Sequence, residues 1–423
     1  MTPDLASAVA AQSDFTADVF DRLRAASVDV RGVTRASYGK GEQAAHALMA
    51  ETARGLGLEI AQDAAANTYM TWPGQDRSKP KYMVGSHLDS VPQGGNFDGA
   101  AGVVAGLTAI RALQSIGHRP ERDITVMGVR AEESCWFGVS YIGSRAALGV
   151  LPDGSLETAK RMDDGVSLAE HMAACGGDPD RVRDGAPYLA VADIAAFLEP
   201  HIEQGPVLVE EGFPAGIVTG IRGNRRFPNA VCLGEYAHCG GAPRRVRHDA
   251  VVAATAFVQA MDRLWDEAEA KGEDFACTIG KFQTDAERHA MTVISGKVAF
   301  TLDMRSVDPA VLTRLEARVP ALAADIAARH GVTFDLGAIT RAAPGVMDGA
   351  LIDRYRAASA ALGVRAMDIP SGASHDSAAF ADAGAPTAML FIRNANGSHN
   401  PDEAMTIPDF IETTKLLTAA LAV

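Results

Sequence analysis

The stretch from residue 81 to residue 129 constrains the fold most. Residues 81–86 (Lys-Tyr-Met-Val-Gly-Ser) read as a buried strand, residues 100–116 as a helix that stops at Gly117, and residues 123–129 as the next strand. Strand, helix and strand with short connections form a crossover, and a crossover implies parallel pairing. Between the first strand and the helix runs Gly85-Ser86-His87-Leu88-Asp89-Ser90-Val91-Pro92-Gln93-Gly94-Gly95-Asn96-Phe97-Asp98-Gly99. This loop holds a histidine, two aspartates and the pair Gly94-Gly95, which is expected to form the turn that brings Asp98 back to the site, and a strand end followed by a loop is where an α/β protein places its chemistry.

The rest of the chain extends the pattern. Helices are expected over 4–25 and 41–55, short strands over 58–61 and 68–72, and a turn at Pro73-Gly74. Residues 150–190 form a polar, glycine-rich excursion with short helices, and 195–201 is another strand. The character changes near residues 220–224. From there the order is strand, helix (249–270), strands (275–282 and 297–305) and helix (309–330), an α+β pattern of small-domain size. Residues 334–344 read as the return crossing. Helices at 348–362, 376–383 and 408–421 and a strand at 387–392 complete the chain. The fold class is α/β: a larger domain (1–221 and 337–423) with a mixed, mostly parallel sheet, and a smaller α+β domain (222–336) inserted into it, with the two crossings as a hinge.

Size and charge agree with this division. A chain of 423 residues, 47% hydrophobic, exceeds what one core usually organises. A formal charge of −14 argues against a nucleic-acid or anionic-membrane partner. No run approaches the roughly 18 apolar residues that span a bilayer. The start, Met1-Thr2-Pro3-Asp4-Leu5, lacks the basic and apolar regions of a signal peptide. The five cysteines are odd in number and show no CxxC spacing, so free thiols in a cytoplasmic protein are expected.

Five candidate metal ligands fall at strand ends or loops of the larger domain: His87, Asp98, Glu133, His201 and His399. Singly, each has a plainer reading: a hydrogen-bonded histidine, an N-cap aspartate before the helix, a solvated Glu132-Glu133 pair. Together they are a nitrogen and oxygen set that suits zinc, manganese, cobalt or nickel. Asp98 is the natural bridge between two ions, because a carboxylate offers two oxygens and an imidazole one free nitrogen. Asp89, two residues after His87, lies on the same side and can hold the other imidazole nitrogen. Glu132 and Glu133 are extended neighbours that point opposite ways, so one can bind metal while the other acts as general base.

These segments resemble the N-carbamoyl-L-amino-acid hydrolase and allantoate amidohydrolase family, within the wider group of two-metal aminoacylases and carboxypeptidases. The resemblance is carried by Ser86-His87-Leu88-Asp89-Ser90-Val91, Gly94-Gly95-Asn96-Phe97-Asp98-Gly99, Glu132-Glu133 with Phe137 and Gly143-Ser144-Arg145, Glu199-Pro200-His201-Ile202-Glu203-Gln204-Gly205-Pro206, Ser371-Gly372-Ala373-Ser374-His375-Asp376 and Gly397-Ser398-His399-Asn400-Pro401. It implies a homodimer with two divalent ions per subunit, zinc or manganese, cobalt or nickel. It also implies metal ligands His87, Asp98 (bridging), Glu133, His201 and His399, Glu132 as general base, and Asp89 behind His87. In the inserted domain, which it implies is a lid and dimerisation domain, His238 in Ala237-His238-Cys239-Gly240 would stabilise the oxyanion from its own or the partner subunit. Arg305 would clamp a substrate carboxylate, and Gln204, Thr292, His289 and Gly372 are the further substrate-binding positions.

Three positions depart from the family pattern: Trp136, Cys239 with the residues after it, and Thr292 in place of an asparagine. The expected activity is hydrolysis of a linear amide or ureido C–N bond in a small carboxylate-bearing substrate, with N-carbamoyl amino acids first. The departures on the substrate-reading side keep a second reading open, an aminopeptidase, dipeptidase or N-acyl amino-acid amidase. A non-catalytic ligand-binding protein is a third reading, opposed by the retained Glu132 and the full ligand set.

Overall fold

The computed structural model describes residues 3–422. The chain divides into two compact units, residues 1–219 with 346–423, and residues 220–345.

The first unit is built on a mixed sheet. Its strands run in the order Glu59–Gln62, Thr68–Trp72, Ile124–Val129, Lys81–His87, Ile194–Ile202, Thr387–Ile392 and Ala215–Ile221. Lys81–His87 pairs in parallel with both Ile124–Val129 and Ile194–Ile202, and Thr387–Ile392 pairs in parallel with Ile194–Ile202. The flanking pairs are antiparallel. The crossover expected between residues 81 and 129 is therefore present, and it lies at the centre of the sheet. Every residue of Ile124–Val129 is buried, as expected for a strand covered on both faces.

The crossover helix, Ala100–Ser115, is buried nearly all round, the pattern of a core helix rather than an amphipathic one. Its glycines let it lie close to the sheet: a Cβ at Gly102 would sit 2.2 Å from the Pro200 carbonyl oxygen. The C-terminal helix Ile407–Leu421 packs against it, capped by Thr406, which accepts from the Asp409 N–H.

The helix expected over 4–25 is two helices, Pro3–Ala10 and Ser13–Ser27. The buried Gln12 side chain donates to the Ala8 carbonyl at 2.8 Å, so the chain turns there and the second helix starts at Ser13.

In the second unit Lys297–Ser306 lies between Gly223–Leu233 and Phe282–Thr284, all antiparallel. Val298, Phe300, Leu302, Met304 and Ser306 alternate inward. With the helices Ala250–Glu269 and Pro309–His330 they enclose a core containing Phe227, Phe257 and Leu315. The strand expected over 275–282 is two strands, Ala276–Thr278 and Phe282–Thr284. The interruption falls where the partner strand shifts register between Phe300 and Leu302, and the Lys281 N–H donates to Thr301 Oγ1 there. Thr333–Asp335 and Thr340–Ala342 pair with Gly223–Leu233. Residues 334–344 thus contribute two strand segments to this sheet instead of forming a bare connection.

Candidate metal centre and active site

Four neighbouring parallel strands deliver the centre at their C-terminal ends. His87 ends Lys81–His87, Glu132 and Glu133 follow Ile124–Val129, His201 is the penultimate residue of Ile194–Ile202, and His399 lies in the loop after Thr387–Ile392. Asp98 arrives through the loop before the crossover helix. This is the crevice beyond the carboxyl ends of the strands, where open α/β sheets bind ligands.

Asp98 stands in the middle. Its Oδ1 is 3.2 Å from His201 Nε2 and 3.8 Å from His87 Nε2, and its Oδ2 is 3.3 Å from His399 Nε2. Glu133 Oε1 is 3.5 Å from His399 Nε2. The donor atoms of His87, Asp98 and His201 lie within 4.8 Å of one another, as do those of Asp98, Glu133 and His399, and of His87, Glu132 and Glu133. The first two sets share Asp98, each on a different oxygen.

Hydrogen bonds orient the candidate ligands. His87 Nδ1 is 3.1 Å from the Asp89 carbonyl and 3.3 Å from Asp89 Oδ1, and His201 Nδ1 is 2.8 Å from the Ile202 carbonyl. In the neutral imidazoles, protons on both Nδ1 atoms leave the Nε2 lone pairs facing Asp98, and the two Nε2 atoms are 3.5 Å apart. Asp89 does more than hold His87. Its carboxylate also accepts from Ser37 Oγ at 2.6 Å and from the Glu132 and Glu133 N–H groups at 3.1 Å each.

Negative charge is concentrated here. Burial pushes Glu132 well above the usual carboxylate range, with Glu133 adding to the effect. Burial and the Asp98 charge push Glu133 up to about 7. Burial opposes ionisation of Asp98, but the His201 and His399 contacts outweigh it and hold Asp98 well below its ordinary value. Burial likewise opposes charge on His87, and the Asp89 bond with the surrounding carboxylates reverses that, raising it well above an ordinary histidine. Glu133 Oε1 is buried and accepts no hydrogen bond. Converging Nε2 atoms, a shared carboxylate and an unsatisfied buried carboxylate oxygen fit two divalent cations, which would supply the positive charge this cluster lacks.

The backbone around the centre is strained in three places. Ala131 (φ 52°), Gln204 (φ 62°) and His399 (φ 60°) occupy the left-handed region, which costs a side-chain-bearing residue of order 1 kcal/mol. Ala131 is pinned by Glu42, which accepts its N–H at 2.9 Å and pairs with the fully buried Arg130 at 3.0 Å.

The turn into Asp98 differs from the expected one. Neither Gly94 nor Gly95 has a positive φ; Gln93 (φ 50°) and Gly99 (φ 65°) do. Gly95 is needed for space instead, since its Cβ would sit 2.0 Å from Glu403 Cδ. Glu403 accepts the Phe97 and Asp98 N–H groups at 2.9 and 3.2 Å and Ser398 Oγ at 2.7 Å. Sequence reasoning missed Glu403. The only hint was the acidic pair Asp402-Glu403 just past His399, of which the second member is buried.

The other expected site residues are placed as follows. Gln204, expected to contact substrate, donates its Nε2 to both Asp98 oxygens at 3.1 Å, while its Oε1 is buried without a partner. Trp136 is buried and donates Nε1 to the Ser90 carbonyl at 2.8 Å; it braces the loop rather than facing an open pocket. Gly372 is exposed after Ser371, whose hydroxyl meets His375 Nε2 at 3.1 Å, and the His375 ring lies 4.3 Å from that of His201.

His238, His289, Thr292 and Arg305 belong to the second unit. His238 is exposed, and its Nδ1 accepts the N–H groups of Gly240 and Gly241 at 3.2 and 3.1 Å. A proton on Nε2 follows, which makes this imidazole a donor at its outer edge. Arg305 is bound to Asp303, with Nη2 to Oδ2 at 3.0 Å. His289 Nδ1 meets Thr284 Oγ1 at 2.8 Å, and the Thr292 carbonyl accepts the Cys239 N–H at 2.9 Å.

This chain belongs to the peptidase family M20/M25/M40, whose pattern it matches over residues 83–422. It is 35% identical over 379 residues to an N-carbamoyl-L-amino acid amidohydrolase of Geobacillus stearothermophilus, covering 89% of this chain and 90% of that one. It is 32% identical over 367 residues to the allantoate amidohydrolase of Escherichia coli strain K12, covering 86% of each. Among solved structures, a hydantoinase/carbamoylase family amidase of Burkholderia multivorans superposes with a TM-score of 0.86 at 29% identity, covering 97% of both chains.

Proposed function

We propose that this chain is a metal-dependent amidohydrolase that cleaves the ureido C–N bond of a small carboxylate-bearing substrate, with N-carbamoyl amino acids as the first candidates. The observation that carries the proposal is the shared Asp98 between two donor sets, with the buried Glu132 beside them. The relatives named as N-carbamoyl-L-amino acid and allantoate amidohydrolases support the bond type.

His87, Asp98 and His201, and Asp98, Glu133 and His399, would hold the divalent ions, which would supply Lewis acidity and a lowered pKa for water. The rest falls to the chain's own side chains. Glu132, buried beside the donor sets, takes the proton of the attacking water and returns it to the leaving nitrogen. Asp89 keeps His87 in one tautomer and fixes the backbone of both glutamates. His238, a donor at Nε2, stabilises the oxyanion of the tetrahedral intermediate, and Arg305 reads the substrate carboxylate. Gln204 holds both oxygens of Asp98 through Nε2 and keeps its unpartnered Oε1 for substrate. Water adds to the carbonyl and the bond to the terminal nitrogen breaks, releasing ammonia and the N-carboxy amino acid, which then loses carbon dioxide with cleavage of its remaining carbamate C–N bond to give the amino acid.

The finer parts of the proposal are two ions per subunit (zinc, or manganese, cobalt or nickel), a homodimer, and a cytoplasmic enzyme. All five cysteines are free thiols, which supports the last of these. No helix among the described residues is long and apolar enough to cross a membrane.

A panel of N-carbamoyl amino acids, allantoate, N-acyl amino acids and dipeptides, with each metal added, tests the proposal. Ammonia release from a ureido compound is expected. Glu132→Gln should keep its metals and lose about 100-fold or more in kcat. Turnover of dipeptides without ammonia from any ureido compound would overturn the proposal.

A further inference from the structure

A cleft of about 1040 Å³ opens in the second unit, and its lining is strongly basic in a chain whose net charge is −14. Arg244, Arg245 and Arg247 line it beside the start of the helix Ala250–Glu269, and Arg329 and His330 line it at the end of the helix Pro309–His330. Among the described residues the side chains of Arg244 and Arg245 make no hydrogen bond or ion pair. Arg247 is held by neutral groups, the carbonyls of Ala242 and Cys239, at 2.7 and 2.5 Å. Arg329 has only an exposed pair with Asp325 at 2.8 Å, of the kind that contributes little.

The one carboxylate in the lining, Asp249, does not neutralise these charges. Its Oδ1 caps the helix, accepting the Val251 and Val252 N–H groups at 3.0 and 3.2 Å. His248 also lines the cleft. Its ring lies against Gly331, where a Cβ would come within 2.1 Å of Nδ1, and that nitrogen is buried with no hydrogen-bond partner. Arg244, Arg245, Arg247 and Arg329 thus line one recess together with His248 and His330, with Asp249 as the one carboxylate among the lining residues. Guanidinium forks fit phosphate oxygens. A recess of this volume takes a small molecule rather than a flat macromolecular surface.

We propose that this cleft binds the phosphate group of a small molecule, either free phosphate or a phosphorylated metabolite. Its lining residues all belong to the second unit and include none of the metal ligands. The inference does not depend on the amidohydrolase reading.

The test is calorimetric titration of the full-length, metal-loaded protein with inorganic phosphate and, separately, with adenosine 5′-monophosphate. Saturable binding with a Kd below about 1 mM is expected. Arg244→Gln/Arg245→Gln should weaken it at least about tenfold, because two charged donors are lost. Asp98→Asn, which changes the metal centre, should leave it unaltered. If the double variant melts lower than the parent, Arg329→Gln takes its place with the same threshold. Tighter binding of the nucleotide identifies a phosphorylated metabolite, and equal binding identifies free phosphate. No saturation below about 1 mM, a loss smaller than about tenfold, or a loss in Asp98→Asn overturns the proposal.

Discussion

Replacing Gly95 by alanine should damage the metal centre from outside its ligand set. The added Cβ would lie 2.0 Å from Glu403 Cδ, 2.1 Å from its Oε1 and 2.5 Å from its Cβ. Carbon atoms need about 3.5 Å, so the Glu403 carboxylate must move by roughly 1.5 Å. That carries Oε1 beyond reach of the Phe97 and Asp98 N–H groups, which it now holds at 2.9 and 3.2 Å. Overpacking costs about 1–3 kcal/mol, and each lost bond to a charged acceptor about 1.5–3 kcal/mol. Partial relaxation makes a total of about 3–6 kcal/mol reasonable, a large share of the roughly 5–15 kcal/mol that holds a domain folded. Because Asp98 is in the displaced segment, metal affinity should fall by about 10- to 100-fold. Urea unfolding of metal-stripped protein and competitive chelator titration measure the two effects. Gly95→Ala/Glu403→Ala should be less destabilised than the sum of its single variants, since the deleted carboxylate leaves room for the methyl. Single-variant stability within about 0.5 kcal/mol of the parent with unchanged metal affinity would refute the reasoning, as would strict additivity.

Two other substitutions follow from the same geometry. Asp89→Asn turns one acceptor oxygen into a donor facing Ser37 Oγ or a backbone N–H; metal affinity should drop about 10- to 100-fold in a chelator competition, with the overall fold retained by circular dichroism. Arg130→Ala leaves the buried Glu42 carboxylate without its cation and frees the strained Ala131, so urea unfolding should show a loss of about 3–5 kcal/mol.

The central sheet was readable because its signals are local. An apolar run ending in Ser86-His87, a helix rich in small residues and a second apolar run fix a parallel crossover. Once that stands, ligands at strand ends fall at one edge of the sheet. His201 and His399 could be assigned only by their motifs, because nothing local says that their strands are neighbours of Lys81–His87 and of each other. The contacts that support the ligands were not readable for the same reason. Glu403 reaches Asp98 across 305 residues and Gln204 reaches it across 106. Gly95 looked like a turn residue because both a turn and a tight contact require glycine, and only the approach of Glu403 distinguishes them. Trp136 stood out as a departure from the family, yet its indole is spent on the Ser90 carbonyl inside the core. The break at Gln12 was hidden because the apolar periodicity continues through it, while a buried side-chain amide ends the first helix.

The central claim is that Asp98 joins two metal positions that together hydrolyse a ureido bond. Its most direct test is to titrate the metal-stripped protein with manganese or zinc and to follow bound metal and ammonia release from an N-carbamoyl amino acid on the same samples. The account predicts activity that rises to a plateau at two ions per chain, and an Asp98→Ala variant that neither binds two ions nor releases ammonia. Full activity in metal-free protein, or an Asp98→Ala variant that still binds two ions and turns over, would contradict it.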